Sequence, residues 1–307
     1  MNGDGTIVGI GAPRNDDNGS NSGHTRIYEY NGVNWIQLGQ DIDGEAAGDN
    51  SGTSVSISNN GKIIAIGPNL IGQEIFSKEA FTTIDATGKH LTSGIIDEHS
   101  HIAISRGVNE GSQASSAEVS IQNVVNSDDV NIYRQLSGGV TTAQLLHGSA
   151  NPIGGQSALI KLRWGSSPQQ MLFEDADGFI KFALGENVKQ ANWGDFERIR
   201  FPQTRVGVEQ VYYDHFLRAK AYEQEWINYN SLSSSDKRSA LAPREDLEMN
   251  TLVEILNSER FISCHSYVQS EINMLMHVGD SMGFTVNTFT HILEGYKVAD
   301  KMKIHGA

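Results

Sequence analysis

Two histidines one residue apart, His99-Ser100-His101, end the apolar run LTSGIIDEHSHI. In a strand, residues two apart point to the same side, so both imidazoles would face one interior. Neutral imidazole is the commonest metal ligand, and a pair so placed can share one divalent cation. The H-x-H spacing alone is a weak signal, and its surroundings must decide its meaning. A second feature is His147, which opens the glycine-rich loop HGSANPIGGQS. There Gly154-Gly155-Gln156 could bring backbone amides close to a ligand, although a plain turn explains the glycines equally well.

From about Phe81 onward, strand-like runs alternate with longer helical patterns. The strand candidates are Val140–Leu146, Ala158–Trp164, Gly178–Gly185, Arg260–Ser266 and Phe284–His291. Ser127-Asp128-Asp129 is placed to cap a helix running to Leu136, stopped by Gly138-Gly139. Apolar residues at three- and four-residue spacing predict helices over Val208–Tyr229, Leu247–Leu256 and Val268–Met282. Repeated β-then-α order predicts a parallel sheet, and this many units predict an α/β fold of the (β/α)8 barrel type. Lys303–Ala307 would open a seventh strand. Cys264 precedes His265 in its strand and should face the opposite way, into the core.

The first 70 residues differ in texture, with short β-prone runs between turns rich in Gly, Asn, Asp and Ser. TIVGIG, TRIYEY, WIQLG, SVSIS and KIIAIG read as strands. Asn2–Pro13 echoes Asn59–Asn69, with Ile7 over Ile63, an offset of 56 residues. Such a period with short strands suits a propeller blade. The string from Gly23 to Gly67 resembles the propeller repeats of bacterial surface proteins, related to integrin-type repeats. That resemblance implies an extracytoplasmic relative. The Asp41–Asp49 stretch lacks the alternating register of a calcium loop and reads better as a solvated turn.

The context of the histidine pair is more specific. GIIDEHSHI resembles the signature closing the first barrel strand of the amidohydrolase superfamily, and IDATGKHLTSG resembles that superfamily's approach to its barrel. Ser93 stands where most members have proline. The resemblance implies an incomplete TIM-like metal-dependent hydrolase barrel and a divalent metal, zinc, as one or two ions. Its ligands would be His99, His101, Lys181 on the fourth strand, His265 on the fifth and His291 on the sixth. Lys181 resembles the lysine that becomes carboxylated in binuclear members, with Lys161 competing for the role. The His147 loop resembles a substrate-side segment of the imidazolonepropionase-like and prolidase-like branch, which makes His147 and Gln156 substrate-binding candidates, with His305 a third. The superfamily's base is an aspartate closing strand eight. The sequence stops before such a position, so activity is expected to be impaired.

Bulk properties narrow the classes further. A formal net charge of −14 argues against nucleic-acid binding, which needs a basic face to displace phosphate counterions. The N-terminus shows no signal-peptide pattern, and no run reaches the roughly 18 apolar residues of a membrane helix. The expected organisation is a propeller-repeat-like segment at 1–70, a remnant of a small β-domain at 71–93, and the barrel at 94–307. The expected function is hydrolysis of amide or other C–N bonds in small or peptide-like substrates. The competing readings are a surface binding module built on the propeller repeat and a non-functional chimera. Oligomeric state and compartment are not legible.

Overall fold

The structure is a computed structural model that describes residues 6–52, 55, 93–194, 196 and 199–307. The expected strands SVSIS and KIIAIG, the second copy of the repeat and nearly all of 71–93 lie outside the described residues. The chain divides into two compact units, Met1–Ser93 and Gly94–Ala307.

In the first unit, β1 (Ile7–Ala12), β2 (His24–Tyr30), β3 (Trp35–Gln37) and β4 (Ile42–Asp43) form one antiparallel sheet, with β2 central. The β2–β3 connection is set by Asn31-Gly32. The Asn31 side chain accepts from the amides of Val33 (3.0 Å) and Asn34 (2.8 Å), and Gly32 takes φ +92°. Only glycine holds such a backbone without steric cost. The short β4 has no counterpart in the sequence reading. It places Asp43 directly opposite His24 in the ladder.

The second unit begins with β5 (Ile95–Ser100), then α1 (Val130–Ser137) and β6 (Val140–Leu145). Asp129 caps α1 by accepting from Asn131 N at 2.9 Å, while its other oxygen accepts from Ala103 N at 2.7 Å. There follow β7 (Ile153–Gln156), β8 (Ala158–Lys161), α2 (Pro168–Met171) and β9 (Gly178–Ala183). The remainder is α3 (Val208–Ser231), α4 (Ser234–Lys237), α5 (Leu247–Leu256), β10 (Arg260–Ser266), α6 (Gln269–Met282), β11 (Thr288–His291) and α7 (Ala299–His305).

Two differences from the expected barrel stand out. The strands form two sheets, β5-β6-β8 and β7-β9-β10-β11, and among the described residues they do not close. The pairs β5–β6, β9–β10 and β10–β11 are parallel, but β8 runs antiparallel to β6, and β7 antiparallel to β9. The link from β6 to β8, residues 146–157, is at the lower limit for a crossover to a parallel neighbour and carries β7 instead of a helix. The expected seventh strand at Lys303–Ala307 is helix α7 and its cap. Met302 N bonds Val298 O, Gly306 N bonds Met302 O, and Gly306 at φ +96° ends the helix.

Two apolar clusters hold this unit. The larger packs α3, α5 and α6 on β9 and β10, with Phe216 stacked on Phe284 at 4.1 Å between ring centroids. The smaller lies between α1, β6 and β8 around Ile132, Leu145 and Ile160. Burying one such side chain contributes roughly 1.5–3 kcal/mol. Tyr212 is buried in the larger cluster, yet its hydroxyl lies 2.8 Å from the carbonyls of both Pro152 and Ala183. That contact ties α3 to the end of β9. Cys264 is buried on the core side, as its strand position predicts, and burial raises its thiol pKa.

Candidate metal centre

The parallel ladders bring the chemistry to one end of the strands. In the β9–β10 register Lys181 pairs with Ser263 and Ala183 with His265. His265 therefore sits one pleat beyond Lys181 on the same face. Both are buried, Lys181 completely. His99 lies on β5 and His101 just after it. Lys181 Nζ is 3.2 Å from His99 Nε2. The imidazoles run as a chain of ring contacts: His101 to His99 at 5.2 Å, His99 to His291 at 5.0 Å, and His291 to His265 at 4.5 Å.

His291 reaches this chain by a local distortion. Its register partner on β10 is Ser266, not His265. Regular extended backbone would turn it to the opposite face. Instead His291 adopts φ +63° and Ile292 φ +39°, a left-handed corner that L-residues with side chains rarely occupy. The imidazole is swung toward His265. Such strain costs of order 1–3 kcal/mol per residue and clusters at functional sites.

The electrostatics suit a metal. Burial, aided by Lys181, lowers the His99 pKa to about 4. Burial with the neighbouring His291 lowers that of His265 to about 3. His101 and His291 are lowered too, again chiefly by burial. All four rings are thereby neutral at pH 7, the state a ligand requires. His101 Nδ1 lies 2.9 Å from Leu146 O. Donation to that carbonyl fixes the tautomer and leaves Nε2 with a free lone pair. Both ring nitrogens of His265 are buried without a hydrogen-bond partner. An orphaned polar pair of this kind is costly, and a coordinated cation would satisfy one of them. Lys181 is the exception: its pKa falls to about 8 by burial, and as an ammonium it repels a cation. The residues thus fit a metal with Lys181 neutral or converted to an anionic carbamate.

The three substrate-side candidates are engaged otherwise. His147 Nε2 accepts from Glu110 N at 2.7 Å, and Nδ1 is 2.8 Å from Gly148 O. Gly154 and Gly155 make room for that ring: a Cβ on Gly154 would meet His147 Nδ1 at 2.9 Å, and one on Gly155 would meet Cδ2 at 3.0 Å. These glycines serve packing. The Gln156 amide donates to Ala117 O and Thr251 Oγ1. His305 accepts from Val286 N at 2.9 Å and pairs with Asp280 at 2.7 Å. Val286 precedes β11, whereas His291 ends it, so His305 lies toward the opposite end of that strand. Lys161 stacks over Phe173 at 4.2 Å.

Two residues escaped the sequence reading. The Tyr267 ring stands edge-on to His265 at 4.5 Å and lies 5.8 Å from His291. Its position two residues after a candidate ligand was the available signal. Arg200 bonds Gly111 O at 2.8 Å and Ala150 O at 2.5 Å, clasping loops that follow β5 and β6. Those loops and the one after β9 line a cavity of about 730 Å³ through Asn109, Ser149, Glu186, Asn187, Asn192 and Trp193. None of the five candidate ligands lines it.

The fold and the cluster together define an α/β unit with four histidines and a buried lysine gathered near the ends of its strands. Two comparisons narrow it. The chain is 30% identical over 237 residues to amidohydrolase tasK from Hapsidospora irregularis, covering 70% of this chain and 24% of that protein. It resembles the crystal structure of an amidohydrolase from Thermotoga maritima MSB8 with a TM-score of 0.68 and 28% identity, over 81% of this chain and 62% of the other. No family model matches. The chain spans about a quarter of the curated relative's length. Together these similarities relate the chain to the amidohydrolase superfamily.

Proposed function

We propose that the Gly94–Ala307 unit carries a zinc centre, formed by His99, His101, His265 and His291 with Lys181, for hydrolysis of amide or other C–N bonds. The observation that carries this reading is His265, whose two buried nitrogens have no hydrogen-bond partner among the described residues and stand beside a second imidazole. When bound, a divalent metal lowers the pKa of water from 15.7 to about 7 and polarises a carbonyl. The chain's own residues supply the rest. Leu146 O fixes the His101 tautomer. The Tyr267 ring flanks His265 and His291. Asn109, Asn187 and Asn192 give the nearby cavity a polar lining.

Turnover is a separate matter. Proton transfer to the leaving nitrogen needs a carboxylate within reach of the attacked carbonyl. Among the described residues Asp97 and Glu98 adjoin the ligands, but the Asp97 carboxylate accepts from His99 N at 3.2 Å. Our reading is a metal-binding hydrolase site in which the described residues place no further carboxylate beside the ligands, so that catalysis is impaired.

The test is zinc content by mass spectrometry of the purified chain, with hydrolysis of N-acyl amino acids measured in parallel. Zinc bound to wild type and reduced in the His99→Ala, His101→Ala double variant supports the centre. Zinc content that the double variant leaves unchanged overturns it. Rapid turnover would overturn the proposed impairment alone.

A further inference from the structure

We propose that the N-terminal unit contains a second metal site of its own, in which His24, Asp41 and Asp43 bind a zinc-class divalent cation. This inference is independent of the hydrolase reading, because every residue in it belongs to the antiparallel sheet of Met1–Ser93.

The register builds the site. His24 on β2 is the direct partner of Asp43 on β4, so their side chains project from one face with Cβ atoms about 4.5–5.5 Å apart. One pleat away from each, Arg26 and Asp41 occupy that same face. One ligand atom each from His24, Asp41 and Asp43 lie within 4.8 Å of one another. Asp41 is held in place by Arg26, whose Nη2 and Nε donate to its Oδ2 at 2.6 and 2.8 Å, and by Gln37 at 2.7 Å on Oδ1. These bonds keep the Asp41 carboxylate ionised, with a pKa of about 2. A carboxylate oxygen can accept from these donors and still present a lone pair to a cation.

The independent sign of a ligand is His24. Its side chain is only 7% exposed, and its Nδ1 is buried with no hydrogen-bond partner. The neighbouring carboxylates stand off at 3.8 Å (Asp17) and 3.9 Å (Asp41). Those gaps are too long for hydrogen bonds; donors about 2 Å from a tetrahedral ion stand roughly 3.3 Å apart, so binding would draw these side chains inward.

Charge balance points the same way. Three aspartates, Asp17, Asp41 and Asp43, stand around His24 against one arginine, Arg26, a surplus of two acidic groups. A dication closes that balance. One imidazole with carboxylates is a mixed nitrogen and oxygen donor set, which zinc accepts. Calcium prefers six to eight oxygens, so the imidazole argues against it.

Zinc binding to the whole chain tests the proposal, in the His99→Ala, His101→Ala background so that the other centre is weakened. One equivalent of zinc is expected to remain after gel filtration. Asp43→Asn should lower its affinity at least tenfold, and His24→Gln should abolish it. Asp43 is exposed, so its variant tests the site even where loss of the buried His24 unfolds the sheet; circular dichroism checks each fold. With cobalt as the probe, visible d–d bands should weaken in Asp43→Asn. Zinc retained by His265 and His291 would be indifferent to Asp43. Zinc binding unchanged by Asp43→Asn, or absent from the background chain at micromolar zinc, overturns the proposal.

Discussion

The Lys181 amine meets His99 Nε2 at 3.2 Å in a site where no carboxylate oxygen bonds it. Without metal this contact joins a fully buried amine to a neutral imidazole, a poor substitute for hydration. A pKa depressed from 10.5 to about 8 corresponds to about 3 kcal/mol of unfavourable burial at neutral pH. Lys181→Met keeps the volume and removes the charge. The metal-free variant should melt on the order of 5 °C higher than wild type, while its zinc affinity falls at least tenfold. Scanning calorimetry and zinc titration read the two effects. A lower melting temperature would show that the amine contributes net stability.

Acid should destabilise the metal-free protein earlier than carboxylate protonation alone predicts. His99 and His265 have folded pKa values of about 4 and about 3, below the usual 6.5. Between those values the unfolded chain binds more protons than the folded one. Stability from these groups is therefore complete above about 6.5 and lost as pH falls toward 4. Denaturant midpoints from pH 7 to 4 check this. A His99→Gln, His265→Gln variant should show a flatter slope in that window; an equal slope would contradict the assignment.

Gly154→Ala probes the packing behind the centre. The new Cβ would meet both His147 Nδ1 and Lys181 O at 2.9 Å. Overpacking of this kind costs about 1–3 kcal/mol, and the Lys181 backbone would shift with it. Lower stability together with weaker zinc binding is expected. Unchanged values in both would mean that β7 yields freely.

Much of this was legible in the sequence because local rules sufficed. α5 and β10 occupy the predicted spans, Leu247–Leu256 and Arg260–Ser266, since Asp246 caps the helix through Met249 N. β11 is shorter than the apolar run from Phe284. Phe284 N closes α6 on Gly279 O, and Asn287 Oδ1 takes the amide of Ile262. Those bonds depend on distant residues. The same limit explains the substrate-side candidates: Gln156 spends its amide on Thr251, 95 residues away, a partner that spacing cannot reveal. The five proposed ligands lie close together because they fall at or near strand ends, where strand period fixes the face of each side chain. His291 was found despite its register, since the left-handed corner that redirects it leaves no mark in composition.

That corner ties metal uptake to the timing of local opening. Ile292 N, at the second strained residue, donates to Ser266 O at 2.9 Å and Thr290 O at 2.8 Å. Without a cation holding His291, relaxing the corner releases these bonds, so its amide should exchange with deuterium ahead of its β10 neighbours. A bound ion would reverse that order. The Ile292 proton is thus a built-in clock for occupancy, readable in solution without any substrate.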